Sequence, residues 1–192
     1  MEAKQKEFLL SVARSAIKDF LTSRKVHHFK SDELEDKTLF ERRACFVTLT
    51  IHGELRGCIG SLLPRQPLIN DVVDNAINAA FRDPRFYPLT LAELNQANIE
   101  ISVLSIPEKL DYQNKKDLLQ KIRPNIDGVI IRKGFYEATF LPQVWSELRD
   151  KESFFENLCL KAGLDRNCID SCDVTVETYQ VEAFSENETA QP

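Results

Sequence analysis

Two alternating segments joined by a tight turn restrict the fold of this chain more than any other feature. Residues 45–51 carry apolar side chains at every second position, which is the period of a half-buried β-strand. His52, Gly53 and Glu54 form a turn, and residues 55–60 return as the partner strand. The sequence therefore predicts an antiparallel hairpin.

The other elements follow in irregular order. Alternation predicts further strands at residues 99–103, 128–132, 135–141 and 174–184. Apolar positions at helical spacing predict helices over residues 8–21, 67–81, 114–122, 144–148 and 154–162. Strands that adjoin through hairpins indicate an α+β fold, with a largely antiparallel sheet flanked by helices. Residues 185–192 are predicted to be a flexible tail.

Composition excludes several classes of protein. The formal charge of −5 and the pI near 5.3 argue against nonspecific nucleic-acid binding, which needs a cationic surface. We find no secretory leader and no apolar stretch approaching the roughly 20 residues that cross a bilayer. The five cysteines are an odd number without a compact secreted framework, so reduced thiols in the cytoplasm are expected.

The run from residue 55 to residue 60 contains the main candidate for a reactive side chain, a thiol two residues after a guanidinium. On a regular strand, Leu55 and Ile59 would point to the core, while Arg56 and Cys58 would emerge together on the opposite face. A nearby cation favours the thiolate, which is the reactive form of cysteine. The competing interpretation is that Cys58 is a small buried hydrophobe, the commonest state of a cysteine.

Alternation extends this polar face to neighbouring strands. If the strands pair, one face carries a cation, a thiol, a carboxylate and several hydroxyls: Thr48, Thr50, Arg56, Cys58, Glu100 and Ser102. Such a group could bind a small anion or polar ligand, or support nucleophilic chemistry of the thiol. A solvated sheet face is the more common outcome of this pattern.

Other candidates have equally plain structural explanations. Glycines in a strand, here Gly57 and Gly60, mark a bulge or the close approach of another group. Arg85 lies at the end of a predicted helix, near a cleft or simply exposed, and Gln143 lies at a strand-to-helix junction governed by Pro142.

Metal and cofactor sites are not predicted. His27 and His28 are adjacent and point apart in a regular element, and Cys168 and Cys172 lack a third thiol at the spacing of a radical-enzyme cluster. No glycine-rich phosphate loop is present.

Several segments, taken in order, resemble one known family. They include Leu55-Arg56-Gly57-Cys58-Ile59-Gly60-Ser61-Leu62, Asp83-Pro84-Arg85-Phe86, Thr139-Phe140-Leu141-Pro142-Gln143-Val144-Trp145 and residues 44–49, 99–105, 128–130 and 158–164. The chain is similar to the AMMECR-one family, called AmmeMemoRadiSam system protein A in prokaryotes. It departs mildly, with Ala44 where glycine is usual and Ser61 where threonine is common.

The resemblance implies a fold and a pathway but no settled activity. It implies one domain over residues 1–184, with a larger and a smaller lobe and a cleft between them lined by residues 56–60. In prokaryotes the family is associated with a Memo-like protein and a radical SAM protein, which suggests a part in a modification pathway.

Two functional hypotheses follow. The first is a cytoplasmic enzyme, or enzyme component, acting on a small polar substrate or a modified macromolecule. Cys58 would be the reactive thiol, Arg56 its activator or an anion anchor, and Glu100 a proton carrier. The substrate would be bound by Gly57, Gly60, Arg85, Thr139 and Gln143. The rival is a noncatalytic adaptor that binds a Memo-like or radical SAM partner, and RNA binding ranks third.

Overall fold

The computed structural model of the protein describes residues 1–171 and 173–189. These residues form two compact units, Met1–Leu104 with the segment from Glu182 onward, and Ser105–Val181. The predicted α+β class is confirmed, because each unit combines helices with a four-stranded antiparallel sheet. No helix in the described part of the chain is long and apolar enough to cross a bilayer.

The strand order differs between the two sheets. It is β2-β1-β3-β8 in the first unit and β4-β7-β5-β6 in the second. In chain order the elements are α1 (Ala3–Ser23), β1 (Cys45–Ile51), β2 (Glu54–Gly60), α2 (Leu68–Phe81), α3 (Leu91–Leu94), β3 (Ala97–Leu104), β4 (Glu108–Lys109), α4 (Lys115–Lys121), β5 (Gly128–Lys133), β6 (Tyr136–Phe140), α5 (Lys151–Lys161), β7 (Thr175–Tyr179), β8 (Val181–Ser185) and α6 (Glu186–Thr189).

The helices of the first unit begin where local chemistry favours them. α2 starts at Leu68, one residue later than predicted, with Pro67 directly before it, and Asp71 in its first turn interacts favourably with the positive end of the helix dipole. α1 begins earlier than predicted, at Ala3, because the Gln5 side chain accepts the Glu2 N–H at 2.9 Å. Both helices bury their apolar side chains with one face of the sheet.

The predicted hairpin contains a bulge. Leu49 pairs with Gly57 but Thr50 pairs with Leu55, so Arg56 is an extra residue in β2. The bulge overturns one expectation, since Leu55 does not face the core but is 43% exposed on the same face as Thr50. A one-residue change of register moves a side chain to the other face of a sheet, which explains the difference.

The second unit has its own core around the only tryptophan of the chain. Trp145 stacks on Phe154 with ring centroids 3.6 Å apart, and its Nε1–H donates to the Asp127 carbonyl at 2.8 Å. The predicted last strand, 174–184, is two strands that belong to different sheets, β7 beside β5 and β8 beside β3.

The C-terminal segment is more ordered than predicted as far as it is described. Residues 185–189 end β8 and form α6 instead of a flexible tail. The Glu186 carboxylate binds Arg14 at 2.6 Å and accepts the Ile99 N–H at 2.8 Å, which holds the segment against the first unit. Residues 190–192 of the predicted tail lie outside the described residues.

One expectation about the cysteines is wrong. Cys159 in α5 and Cys168 in a following 3-10 turn form a disulfide, with Cα atoms 5.9 Å apart, where reduced thiols were expected. Folding of the intervening loop brings the two side chains together, and their spacing in the sequence gives no sign of it. Cys45 and Cys58 are free thiols, and Cys172, the fifth cysteine, lies outside the described residues.

Reduction of this disulfide should destabilise the second unit. The bond closes a short loop, with a separation of 9 residues, and restricts the unfolded chain, so its loss costs about 2–3 kcal/mol. We expect a reductant to lower the urea midpoint followed by Trp145 fluorescence. A Cys159→Ala/Cys168→Ala variant is the matched control and should show no response to reductant. An unchanged midpoint in the natural protein would contradict the disulfide.

Candidate functional site

Three polar side chains lie side by side across the sheet of the first unit. Cys58 on β2 pairs with Thr48 on β1, and Thr48 pairs with Glu100 on β3. All three are half-buried on the face opposite the core, as alternation predicts. The Thr48 hydroxyl donates to the Cys58 sulfur at 3.3 Å, and Cys58 is not in a disulfide. We call Cys58, Thr48 and Glu100 the polar row.

The dimensions of a sheet limit what Glu100 can do. Neighbouring strands lie about 4.8 Å apart, so the backbones at Cys58 and Glu100 are separated by about 10 Å, with Thr48 between them. A proton can therefore pass between the thiol and the carboxylate only through a bridging water or ligand.

Asp83 and Arg85 cover the outer edge of β2 beside Cys58. The Cys58 N–H donates to Asp83 Oδ2 at 2.9 Å, and Arg85 Nη2 donates to the Cys58 carbonyl at 3.2 Å. Arg85 Nη2 also binds Asp83 Oδ2 at 2.6 Å. The two residues thus satisfy the backbone groups that an edge strand leaves unpaired, and they fix Cys58 from the side.

This pair sets the charge around the thiol. The Arg85 guanidinium holds the pKa of the Asp83 carboxyl, which is only 4% exposed, far below its usual range. The same hydrogen bonds raise the pKa of Arg85, and the Cys58 side chain acts in the same direction. Arg85 is therefore a permanent cation beside Cys58, with its side chain 52% exposed.

Arg56 is occupied elsewhere. Its Nε donates to Glu93 Oε1 at 2.8 Å and its Nη2 to the Tyr87 carbonyl at 2.9 Å, and the side chain is 13% exposed. Arg56 in turn lowers the pKa of Glu93 to about 2. The guanidinium predicted to activate Cys58 thus fastens the bulge to α3, and Arg85 takes the position beside the thiol.

The two glycines of the run serve close packing. A Cβ on Gly57 would lie 2.1 Å from the carbonyl oxygen of Ala79 in α2, and one on Gly60 would lie 2.2 Å from the Phe46 ring. Glycine in a strand does signal a close approach, but the approaching groups are protein atoms. The ligand-binding role predicted for Gly57 and Gly60 stays a prediction.

The remaining predicted residues belong to the second unit. The Thr139 hydroxyl is buried and shares a hydrogen bond of 3.0 Å with Tyr179, whose pKa is raised to about 12 by burial. Lys161 Nζ donates to the Thr139 carbonyl at 2.9 Å. Gln143 is exposed in a 3-10 turn that starts at Pro142. Their substrate-binding roles stay predictions.

A buried polar cluster behind β1 was not predicted. The Asp71 carboxylate accepts the Cys45 N–H at 2.9 Å, the Ser61 hydroxyl at 2.9 Å and the Asn75 amide at 3.0 Å. Burial raises the pKa of the Cys45 thiol well above its usual value. Cys45 is thus a core residue and an unreactive reference thiol for Cys58.

Sequence reasoning missed the three acids that organise this region, Asp71, Asp83 and Glu93. Asp83 gave one signal, since an Asp-Pro-Arg run can place a carboxylate and a guanidinium together, but the same run is also explained by the end of a helix before Pro84. Within residues 1–171 and 173–189, no three His, Cys, Asp or Glu side chains are grouped to hold a metal ion.

Comparison with known proteins gives one consistent result. A family model described as AMMECR1 matches residues 10–184. A protein of Methanothermobacter thermautotrophicus is 39% identical over 180 residues, covering 93% of this chain and 93% of its own length. Protein MJ0810 of Methanocaldococcus jannaschii is 38% identical over 184 residues, covering 94% of this chain and 90% of its own length. The crystal structure of uncharacterized protein PH0010 from Pyrococcus horikoshii matches with a TM-score of 0.78 and 34% identity, over 100% of this chain and 96% of that one.

Proposed function

Since the chain belongs to the AMMECR1 family, we propose that it is an enzyme, or a component of one, whose chemistry runs through the thiol of Cys58. One observation carries the proposal. A free, half-buried thiol on the sheet face opposite the core accepts a hydrogen bond from the Thr48 hydroxyl, and the Arg85 guanidinium binds the backbone carbonyl of the same residue. A nucleophilic cysteine needs a cation beside it and partial access, and Cys58 has both.

Each neighbour of the thiol has a role in this proposal. The Cys58 sulfur adds to a carbonyl carbon of the substrate, the electron pair of the C=O π bond moves to the carbonyl oxygen, and that oxygen takes up the proton that the thiol releases. Arg85 binds an anionic group of the substrate. Thr48 orients the sulfur through its hydrogen bond, and Glu100 carries the proton through a bridging group. Arg56 acts indirectly, because its bonds to Glu93 and to the Tyr87 carbonyl fix the bulge before Cys58.

The pathway is the second part of the proposal. The substrate is a small polar molecule or a modified macromolecule, and the reaction belongs to a modification pathway shared with a Memo-like protein and a radical SAM protein. This assignment rests on the family resemblance.

Alkylation of the native protein tests the reactive thiol. We expect iodoacetamide to modify Cys58 faster than a free thiol of ordinary pKa, about 8.5. Cys45 should react at least about 10³-fold more slowly than Cys58, because its modification requires opening of the core. Trypsin cleaves after Arg43, Arg56 and Arg65, so mass spectrometry reads the two cysteines in separate peptides.

Two controls make the alkylation test decisive. In urea the two peptides should react at similar rates, which shows that the folded structure causes the difference. Thr48→Val removes the hydrogen bond to sulfur while keeping the side-chain shape, and it should change the rate at Cys58 alone. An ordinary rate at Cys58 in the folded protein would contradict a reactive thiol.

An adaptor is the alternative that one observation favours. Tyr87 is 91% exposed, and Leu55 and Leu91 are each more than 40% exposed in the same unit. Exposed apolar side chains of this kind are typical of protein-binding surfaces. An ordinary rate at Cys58, together with binding of a Memo-like or radical SAM protein that Tyr87→Ser abolishes, would favour the adaptor.

A further inference from the structure

The polar row has a positive group at one end. Arg85 lies beyond the outer edge of β2, where its Nε and Nη2 atoms are bonded to Asp83 and to the Cys58 carbonyl. No described residue accepts a hydrogen bond from its Nη1 amino group. A half-exposed guanidinium that is held rigidly by Asp83 thus keeps two N–H donors for a ligand.

The row has a negative group at the other end. Glu100 lies on β3, half-buried, and no described side chain donates a hydrogen bond to it or forms an ion pair with it. The unpartnered carboxylate oxygens of Glu100 reach solvent and are therefore open to a ligand, and a cationic nitrogen is a natural partner for a carboxylate. Glu100 would also repel a small anion that spread along the row.

The distance between these charges selects the length of the ligand. Cys58 and Glu100 are about 10 Å apart across the sheet, and Arg85 lies beyond Cys58, so the charges are separated by roughly 10–15 Å. A free amino acid is too short to reach both. An extended peptide advances about 3.3–3.6 Å per residue, so about three or four residues span the row.

We propose that the polar row binds a peptide-like dipolar ligand, with its carboxylate at Arg85 and a cationic nitrogen at Glu100. The inference rests on the proposed function, because it names the substrate class of the same site. The ligand would cross the strands, and its middle would lie over Cys58 and Thr48. Two sources share this chemistry: a short free peptide, and the C-terminus of a protein with a basic residue about three positions before its end.

Blocked peptides test the proposal without disturbing Arg85, which also braces β2. We would measure binding of tetraalanine, its N-acetyl form and its C-terminal amide to Cys58→Ala protein by calorimetry. Each block removes one charged hydrogen bond, so each should weaken binding about tenfold. N-acetyl-Lys-Ala-Ala tests the second source, since binding equal to tetraalanine shows that a lysine side chain can replace the free amino terminus, as a protein C-terminus requires, and weaker binding restricts the ligand to free peptides.

Glu100→Gln is the decisive variant, because it keeps the shape of the side chain. It should abolish the difference between tetraalanine and its acetyl form while leaving the effect of the amide. Glu54→Gln, an exposed glutamate at the start of β2, is the matched control and should change neither. Equal binding of all the peptides, or binding of none, would overturn the proposal. Reactivity of Cys58 is measured separately, so failure here leaves the alkylation result intact.

Discussion

Replacing Gly57 by alanine should destabilise the first unit by about 3 kcal/mol, more than any other single change in the run 55–60. The added Cβ would lie 2.1 Å from the carbonyl oxygen of Ala79. This oxygen is part of the backbone of α2 and cannot rotate away, so β2 and α2 must separate. Hydrogen exchange of the β1 and β2 amides measures the loss directly.

Two companion variants identify the cause of this loss. Gly53→Ala lies in the turn of the same hairpin, where nothing is within 4 Å but φ is +84°, so we expect only about 1 kcal/mol. Ala79→Gly keeps the carbonyl oxygen and should therefore not rescue Gly57→Ala. A rescue by Ala79→Gly would show that side chains, not backbone, set the close approach.

The second large effect is expected for Asp83→Asn, at about 3 kcal/mol. The buried carboxylate accepts the Cys58 N–H and binds Arg85 through Nε and Nη2. An amide cannot replace the charge, and its NH2 group would face donors. The variant should also lose the faster alkylation of Cys58, because Arg85 is no longer held at the edge of β2.

The pH dependence follows from the lowered pKa of Asp83. A carboxyl whose pKa is lower in the folded protein stabilises it fully above the unfolded value, about 3.9, and loses this contribution as the pH falls toward the folded value. The gap between natural protein and Asp83→Asn should be constant from about pH 5 to pH 8 and shrink below about pH 4. Asp32→Asn, an exposed acid, is the control, and a gap that grows in acid would contradict the assignment.

The polar row shows how far a site can be predicted from a pattern. Alternation on β1 and β3 put Thr48 and Glu100 on one face before any register was known, because the period of a strand is independent of its partners. The neighbour of Cys58 could not be predicted in this way. Regular alternation predicts Arg56, but the bulge and the ion pair with Glu93 hold Arg56 elsewhere, and Arg85 binds the Cys58 carbonyl from another segment.

Patterns between neighbouring residues therefore determined where the helices and strands form and which fold class they give. The periods of hydrophobicity, Pro67 at the start of α2 and the turn at Gly53 act between neighbouring residues, and with the ordered motifs they fixed the α+β fold and the family. The tertiary structure alone decided which side chains bond across the fold. Asp83 accepts a hydrogen bond from Cys58, 25 residues away in the sequence, and Glu93 accepts one from Arg56, 37 residues away. Such contacts depend on how the elements pack, which no local pattern encodes.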